Sequence, residues 1–352
     1  MLPQRRQKIL AAIVEQYIET GEPVGSKALQ SIAGLDVSSA TIRNEMAELT
    51  AQGFITQPHT SAGRVPTQAG YRYYVDNLMK PAELEENERR RIESGLDYRS
   101  GDPEQLLQAA GEALVDFTNF AAISTTPSDE HAFIKNIEMV PVSPKMAMIV
   151  LLTSTGILKS KACRTDVPIT ADLQDAFSDI VRKNFFGTPL SDVNTVMIQT
   201  LVASLGAKAL SMSPLLVTIS DLVEAASVSE INLSGQSNLL GYKEYNDNAG
   251  QLLDFLHKEE PLGMLVSSSG DSDSDIEIRI GSENRYKELE NSSMIISKYK
   301  IGDNATGAIG IIGPTRMNYS KLVPSIKYLT DIISKFLSDV YEEESSSGEE
   351  DS

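Results

Sequence analysis

One cysteine, Cys163, stands in a chain of 352 residues, so no internal disulfide can form and a reducing cytoplasm is the expected setting. Histidine is nearly as scarce. His59, His131 and His257 lie far apart, and without an HExxH or CxxC spacing they offer a metal ion no ligand set. No GxSxG elbow or other nucleophile setting is present. Gly307, Gly310 and Gly313 follow a GxxGxxG spacing and run into Pro314, which suits a strand and a tight turn rather than a dinucleotide cradle. Catalysis, a cofactor and a metal therefore have no residue-level warrant. No stretch approaches the roughly 18 consecutive apolar residues of a membrane span, and Met1 to Thr20 has the pattern of an amphipathic helix rather than an export signal. A soluble protein of two or three domains is expected, with no membrane partner.

A basic surplus is also missing. The net charge is −18, but it is unevenly spread: residues 1–80 carry eight Lys/Arg and seven Asp/Glu, Glu342 to Ser352 contribute −6, and residues 81–341 hold −13. Because the Debye length at physiological salt is roughly 8 Å, acidic charge held farther away than that barely repels a polyanion. A near-neutral N-terminal segment on an acidic body is compatible with DNA binding that relies on specific contacts rather than on sequence-blind attraction.

The N-terminal segment carries the most informative pattern. Leu10, Ile13, Val14, Tyr17 and Ile18 form one apolar stripe of a first helix that Gly21 and Pro23 end. Ser26 caps a short second helix bearing Ala28, Leu29 and Ile32. Ser38 or Ser39 caps a third, whose buried side is Ile42, Met46 and Leu49 and whose end is Gly53. The other side of that third helix shows small and polar groups. Ala40 and Ala47 let a backbone come close, Ser38, Ser39 and Thr41 offer hydroxyls beside the free N–H groups of the helix start, and Arg43 and Asn44 suit guanine and adenine edges. Phe54 to Pro66 reads as a hairpin tipped by His59, Thr60, Ser61 and Arg64, placed to hold a sugar-phosphate backbone or enter a minor groove. Tyr71, Tyr73 and Tyr74 on the next helix fall on different faces, which makes them packing groups rather than base-stacking ones. Three helices, a hairpin and a closing helix are the parts of a winged helix-turn-helix.

The runs GEPVGSKAL, VSSATIRNEMAEL, QPHTSAGRVPT and GYRYYVDNLM, with INLSGQSNLL from Ile231 and GAIGIIGPTRMNYSKLVPSIKYL from Gly307, resemble the HrcA family of heat-inducible transcription repressors, in order from residue 4 to about residue 340. Asn318 departs from the family pattern, where an acidic residue is more usual. The resemblance implies a homodimer on the inverted-repeat operator called CIRCE, repression of chaperonin genes, and a GroEL-type chaperonin that keeps the repressor active. An alternative is a metabolite-sensing winged-helix regulator in which the GAF-like domain holds the effector.

For the body, strands are expected at Ile134–Val140, Ala147–Thr153, Gly156–Arg164, Ile276–Ile280, Met294–Tyr299 and Ala305–Ile312. Helices are expected at Pro103–Ala121, Leu173–Phe185, Val193–Ser211, Leu215–Ala226, Ala249–His257 and Tyr319–Val340. The resulting fold class is α+β and multidomain: a winged helix-turn-helix over 1–80, a connector over 81–102, and a GAF-like α/β domain in two halves, 103–166 and 262–341. A helical inserted dimerising domain over 167–261 separates the halves, and 342–352 forms a disordered acidic tail. The names GAF-like domain and inserted dimerising domain come from the resemblance. Ser267 to Asp275 has the composition of a solvated loop.

Overall fold

A computed structural model describes residues 2–32, 38–59, 62–96, 103–127, 131–267, 275–301 and 305–347. The Ser/Asp-rich stretch 268–274 and the last five residues lie outside them. Helix α1 (Gln4–Thr20) buries Ile9, Leu10, Ile13 and Val14, and Gly21 ends it at φ +65°, its N–H donating to Tyr17 O at 2.8 Å. Helices α2 (Ser26–Ile32) and α3 (Ser39–Ala51) pack on α1, and the two-residue strands β1 (Ile55–Thr56) and β2 (Val65–Pro66) pair antiparallel before α4 (Gln68–Asn77). The tyrosines behave as packing groups: Tyr71 and Tyr74 are buried, and Tyr73 meets Phe54 edge to face while its hydroxyl accepts from Leu2 N.

The connector forms a short helix α5 (Glu86–Glu93) that lies between α6 (Pro103–Thr118) and the final helix α12 (Tyr319–Ser347). Pro324 stands inside α12 and cannot donate to Ser320 O; Ala82 N does so instead at 2.8 Å, so the connector satisfies the carbonyl that proline frees.

The body is a five-stranded antiparallel sheet in the order β7 (Ile231–Ser234), β3 (Ala121–Thr125), β10 (Ala305–Pro314), β9 (Ser292–Ile301), β8 (Ile276–Ile280). Alternation along its strands separates two cores. Ile309, Ile311, Ile295 and Tyr299 face α6 and α12, in a core that runs on without a break into the N-terminal unit. Ala308, Ile312, Met294 and Ile296 face α10 (Ala249–Leu256) and α11 (Glu259–Ser267).

The meander β4 (Ile134–Ser143), β5 (Met146–Thr153), β6 (Leu158–Arg164) differs from the expected division. None of its strands pairs with the five-stranded sheet; it closes a third core with α7 (Ala171–Asn184), α8 (Thr195–Ser204) and α9 (Ala209–Ser227). The excursion thus leaves after β3 and returns at β7, and the expected boundaries at 166/167 and 261/262 cut through packed units. The neck explains the new boundary: Thr126 N donates to Glu230 O at 3.0 Å and Glu230 N to Thr126 Oγ1 at 2.8 Å, directly beyond the β3–β7 pair. Lys159 of β6 adds ion pairs to Glu104 and Glu230. Gly206–Ser227 is, among the described residues, long and apolar enough to cross a bilayer, yet Met212, Leu215, Leu216, Ile219, Leu222 and Val223 are buried in this third core.

Two further expectations change. The helix expected to reach Ala121 ends at Thr118, because Asn119 at φ +58° stops α6, and the chain turns into β3, where no strand was expected. α12 runs to Ser347, six residues into the segment expected to be a disordered tail.

Candidate nucleic-acid interface

The start of α3 is set by Ser38, whose extended backbone (φ −66°, ψ 153°) and Oγ, accepting from Thr41 N at 3.2 Å, form the N-cap. Ile42, Met46 and Leu49 sink into the core on one side, which turns the opposite side outward. Ala40, Arg43, Asn44 and Ala47 are exposed there, and among the described residues the side chains of Arg43 and Asn44 make no hydrogen bond. The hydroxyls are more committed than expected. Ser38 and Thr41 face each other at 3.1 Å within the cap, and Ser39 Oγ lies 3.2 Å from Ser26 Oγ, joining the start of α3 to the start of α2.

His59 is exposed on the hairpin, with its carbonyl accepting from Ala62 N at 2.9 Å. Thr60 and Ser61 lie outside the described residues. Arg64 does not sit at the tip. Its backbone exchanges two hydrogen bonds of 2.9 Å with Val24, and its Nε donates to Thr50 Oγ1, at the far end of α3, at 3.2 Å. Gly63 permits this: a Cβ there would stand 2.5 Å from the Val24 carbonyl. The guanidinium is thereby anchored beside α3, half-buried, rather than carried on a loose loop.

Electrostatics on α3 involve residues that local pattern did not flag. Glu45 and Glu48 lie on the edge of α3 facing α1, where Arg6 Nε meets Glu45 at 2.7 Å, Arg6 Nη2 meets Glu48 at 3.4 Å and Arg5 Nη1 meets Glu45 at 3.7 Å. The hydrogen bond to Glu45 raises the Arg6 guanidinium further above its ordinary pKa.

The N-terminal unit is seated on the body through α4. Arg72 forms a forked pair with Glu283, donates to Ile278 O at 2.6 Å and reaches Asp76 at 3.2 Å. Gln68 Oε1 accepts from Ser282 N and Oγ at 3.1 and 2.8 Å. Burial pushes the Glu283 carboxyl up, but hydrogen bonds from Arg72 and Ile280 N–H outweigh it and hold the group below its usual range.

A family model, the HrcA protein C-terminal domain, matches residues 104–323. The heat-inducible transcription repressor HrcA of Acetivibrio thermocellus is 34% identical over 330 residues, 93% of this chain and 94% of its own. That of Pelotomaculum thermopropionicum is 34% identical over 338 residues, covering 96% and 97%. The chain belongs to the HrcA family of heat-inducible transcription repressors. A crystal structure of a hypothetical protein superposes with a TM-score of 0.71 at 24% identity, over 97% of this chain and 100% of that one, and shares the fold. The HrcA relatives are named for repression of transcription, which is not a class of catalysis.

Within this HrcA family member, two of the ion pairs that sequence reading missed join distant positions. Arg6 and Glu45 are 39 residues apart, Arg72 and Glu283 are 211 apart. One local hint existed: Glu45 and Glu48 have Leu49 and Gln52 at their i+4 positions, so neither finds a cation on its own helix.

Proposed function

We propose that this repressor is a homodimer that occupies an inverted-repeat operator of the CIRCE type upstream of chaperonin genes, each protomer laying α3 in a major groove. The single observation that supports this most is the outward face of α3, where Arg43 and Asn44 project unpaired beside small Ala40 and Ala47. In this reading residues 1–80 act as a winged helix-turn-helix, Ser38, Ser39 and Thr41 lie near phosphate, and the hairpin with His59, Thr60 and Ser61 follows the backbone while Arg64 braces it. The body is a GAF-like domain, and the excursion between β3 and β7 is the inserted dimerising unit. Exposed Val196, Leu210 and Val217 on α8 and α9 supply an apolar surface for the second protomer.

A GroEL-type chaperonin in the cytoplasm maintains the active form, and heat or unfolded clients withdraw it. The physical ground is marginal stability, which makes the unfolded fraction rise steeply with temperature. Footprinting of regions upstream of chaperonin operons, with and without chaperonin and before and after heating, tests the whole scheme: protection of an inverted repeat that chaperonin restores after heat is the expected result, and no protection under any condition defeats it.

The metabolite-sensing alternative puts the effector inside the GAF-like domain, whereas the cavity that favours an effector lies beside that domain, against the N-terminal unit. That cavity, of about 870 Å³, opens between the N-terminal unit and the body, with Glu15, Lys80, Phe117, Arg316 and Lys321 in its wall. A specific, large thermal shift with one member of a metabolite panel would favour that reading.

A further inference from the structure

We propose that Arg6, assisted by Arg5, is a positioning residue for DNA recognition: from α1 it cancels the carboxylates of Glu45 and Glu48, so that α3 can approach a polyanion. The inference rests on the reading of α3 as the recognition helix.

By itself α3 is poorly charged for that task. Between Ser39 and Ala51 it contains one cation, Arg43, and two anions, Glu45 and Glu48. Glu48 lies one turn beyond Asn44 on the exposed side, at the i+4 spacing that puts Cβ atoms about 6 Å apart. The Glu48 carboxylate therefore borders the surface that Asn44 presents, and charges closer than roughly 8 Å are only weakly screened at physiological salt. The duplex adds one phosphate charge per roughly 1.7 Å of its axis. Uncompensated, the two carboxylates would repel the backbone at the point where the reading groups must enter.

The structure supplies the compensation from another element. Arg6 lies between both carboxylates, at 2.7 Å from Glu45 and 3.4 Å from Glu48, and Arg5 reaches Glu45 from the solvent side at 3.7 Å. The side chains of Arg6 and Glu45 are only 21% and 18% exposed, so this pair is held in place, whereas Glu48 at 57% remains close to the approaching ligand. The Arg6–Glu45 pair contributes to folding as other half-buried pairs do, whereas the exposed Glu48 carboxylate acts mainly through its field at the recognition surface. Arg6 acts through Glu45 and Glu48 and needs no contact with a base.

The test uses the full chain and the tightest inverted-repeat duplex that it selects from a random library, with a scrambled duplex of equal length, titrated by fluorescence anisotropy over a range of salt. Arg6→Gln should weaken both duplexes about tenfold at roughly 0.1 M salt, leave base preference unchanged and the chain folded at the assay temperature despite a modest fall in melting temperature, and lose its effect as salt rises. Adding Glu45→Gln and Glu48→Gln to that variant should restore affinity. Unchanged binding overturns the inference, and so does a loss that the added glutamines fail to repair, because that pattern marks a direct phosphate contact or a damaged fold.

Should Arg6→Gln not fold, Glu45→Gln/Glu48→Gln with Arg6 intact serves instead. It should bind scrambled DNA severalfold more tightly and with a steeper salt dependence, and an unaltered curve overturns the inference. Selection of no duplex at all would defeat the recognition-helix reading itself, a failure distinct from these.

Discussion

Arg43 and Arg72 belong to the same N-terminal unit and meet opposite fates. Four hydrogen bonds hold the guanidinium of Arg72: two to the oxygens of Glu283, one to the carbonyl of Ile278 and one to the carboxylate of Asp76. That of Arg43 stands in solvent without a protein acceptor among the described residues. The first joins two parts of one molecule and gains from burial and forked geometry. The second has its donors turned to solvent, where in the proposed reading a base edge would meet them. A planar fork with five donors serves either purpose, and only its surroundings decide which.

The sharpest way to break this contrast is to remove the outward pair. Arg43→Ala/Asn44→Ala should cost about 3–4 kcal/mol of operator affinity, from roughly 1–3 kcal/mol for each base contact, while the denaturation midpoint barely moves. Titration of the selected duplex and a urea melt on the same preparation check both halves; a large fall in stability would mean that these residues are structural.

Arg72→Ala should do the reverse. It leaves Glu283 partly buried without its partner, at 31% side-chain exposure, and a loss of about 2 kcal/mol in folding stability is expected, below the 3–5 kcal/mol of a fully buried pair. Base preference should be retained in whatever fraction remains folded. An unchanged melt would show that the docking seam is stabilised by Tyr71, Tyr319 and Gln68 without help from the ion pair.

The same seam predicts a pH dependence. Because the folded pKa of Glu283 lies below its ordinary value of about 4.3, its contribution is present above that value and disappears as pH falls through the folded pKa. Glu283→Gln should therefore lower stability at neutral pH and narrow the gap to the wild type below about pH 4. Equal differences at both pH values, in parallel urea melts, would exclude the linkage.

A smaller effect is expected at the cap. Ser38→Ala removes the acceptor for Thr41 N and should cost about 1 kcal/mol of stability, with a modest secondary loss of affinity as the first turn of α3 frays. An intact melt would mean that Ser39 or Thr41 takes over.

Helices α1 and α3 were legible because each buries a 3.6-residue stripe and is bounded by a local signal, Gly21 after α1 and the Ser38 hydroxyl before α3, which act within one or two turns. The outward direction of Arg43 and Asn44 follows from the same periodicity, since Ile42, Met46 and Leu49 leave only one side for them. β3 was not legible. Its residues Ala121 to Thr125 are buried throughout, so no alternation of polar and apolar positions separates them from the helix before. β7 is short and half-exposed along its whole length, and its assignment depends on pairing with β3. Arg64 was placed at the hairpin tip because a polar, glycine-bearing turn reads as one loop; the approach of Val24 to Gly63 draws it back to Thr50.

The amino-acid order alone determined the local elements of the N-terminal unit, the exposed character of the α3 face and, through its motifs, the family. Tertiary structure decided which strands share a sheet, where the excursion between β3 and β7 begins and ends, and which arginine is consumed and which is left available. The physical reason is range: periodicity and capping act over a few residues, whereas strand pairing and the Arg6–Glu45 and Arg72–Glu283 contacts depend on how segments 39 and 211 positions apart are brought together by cores that form only when the whole chain folds.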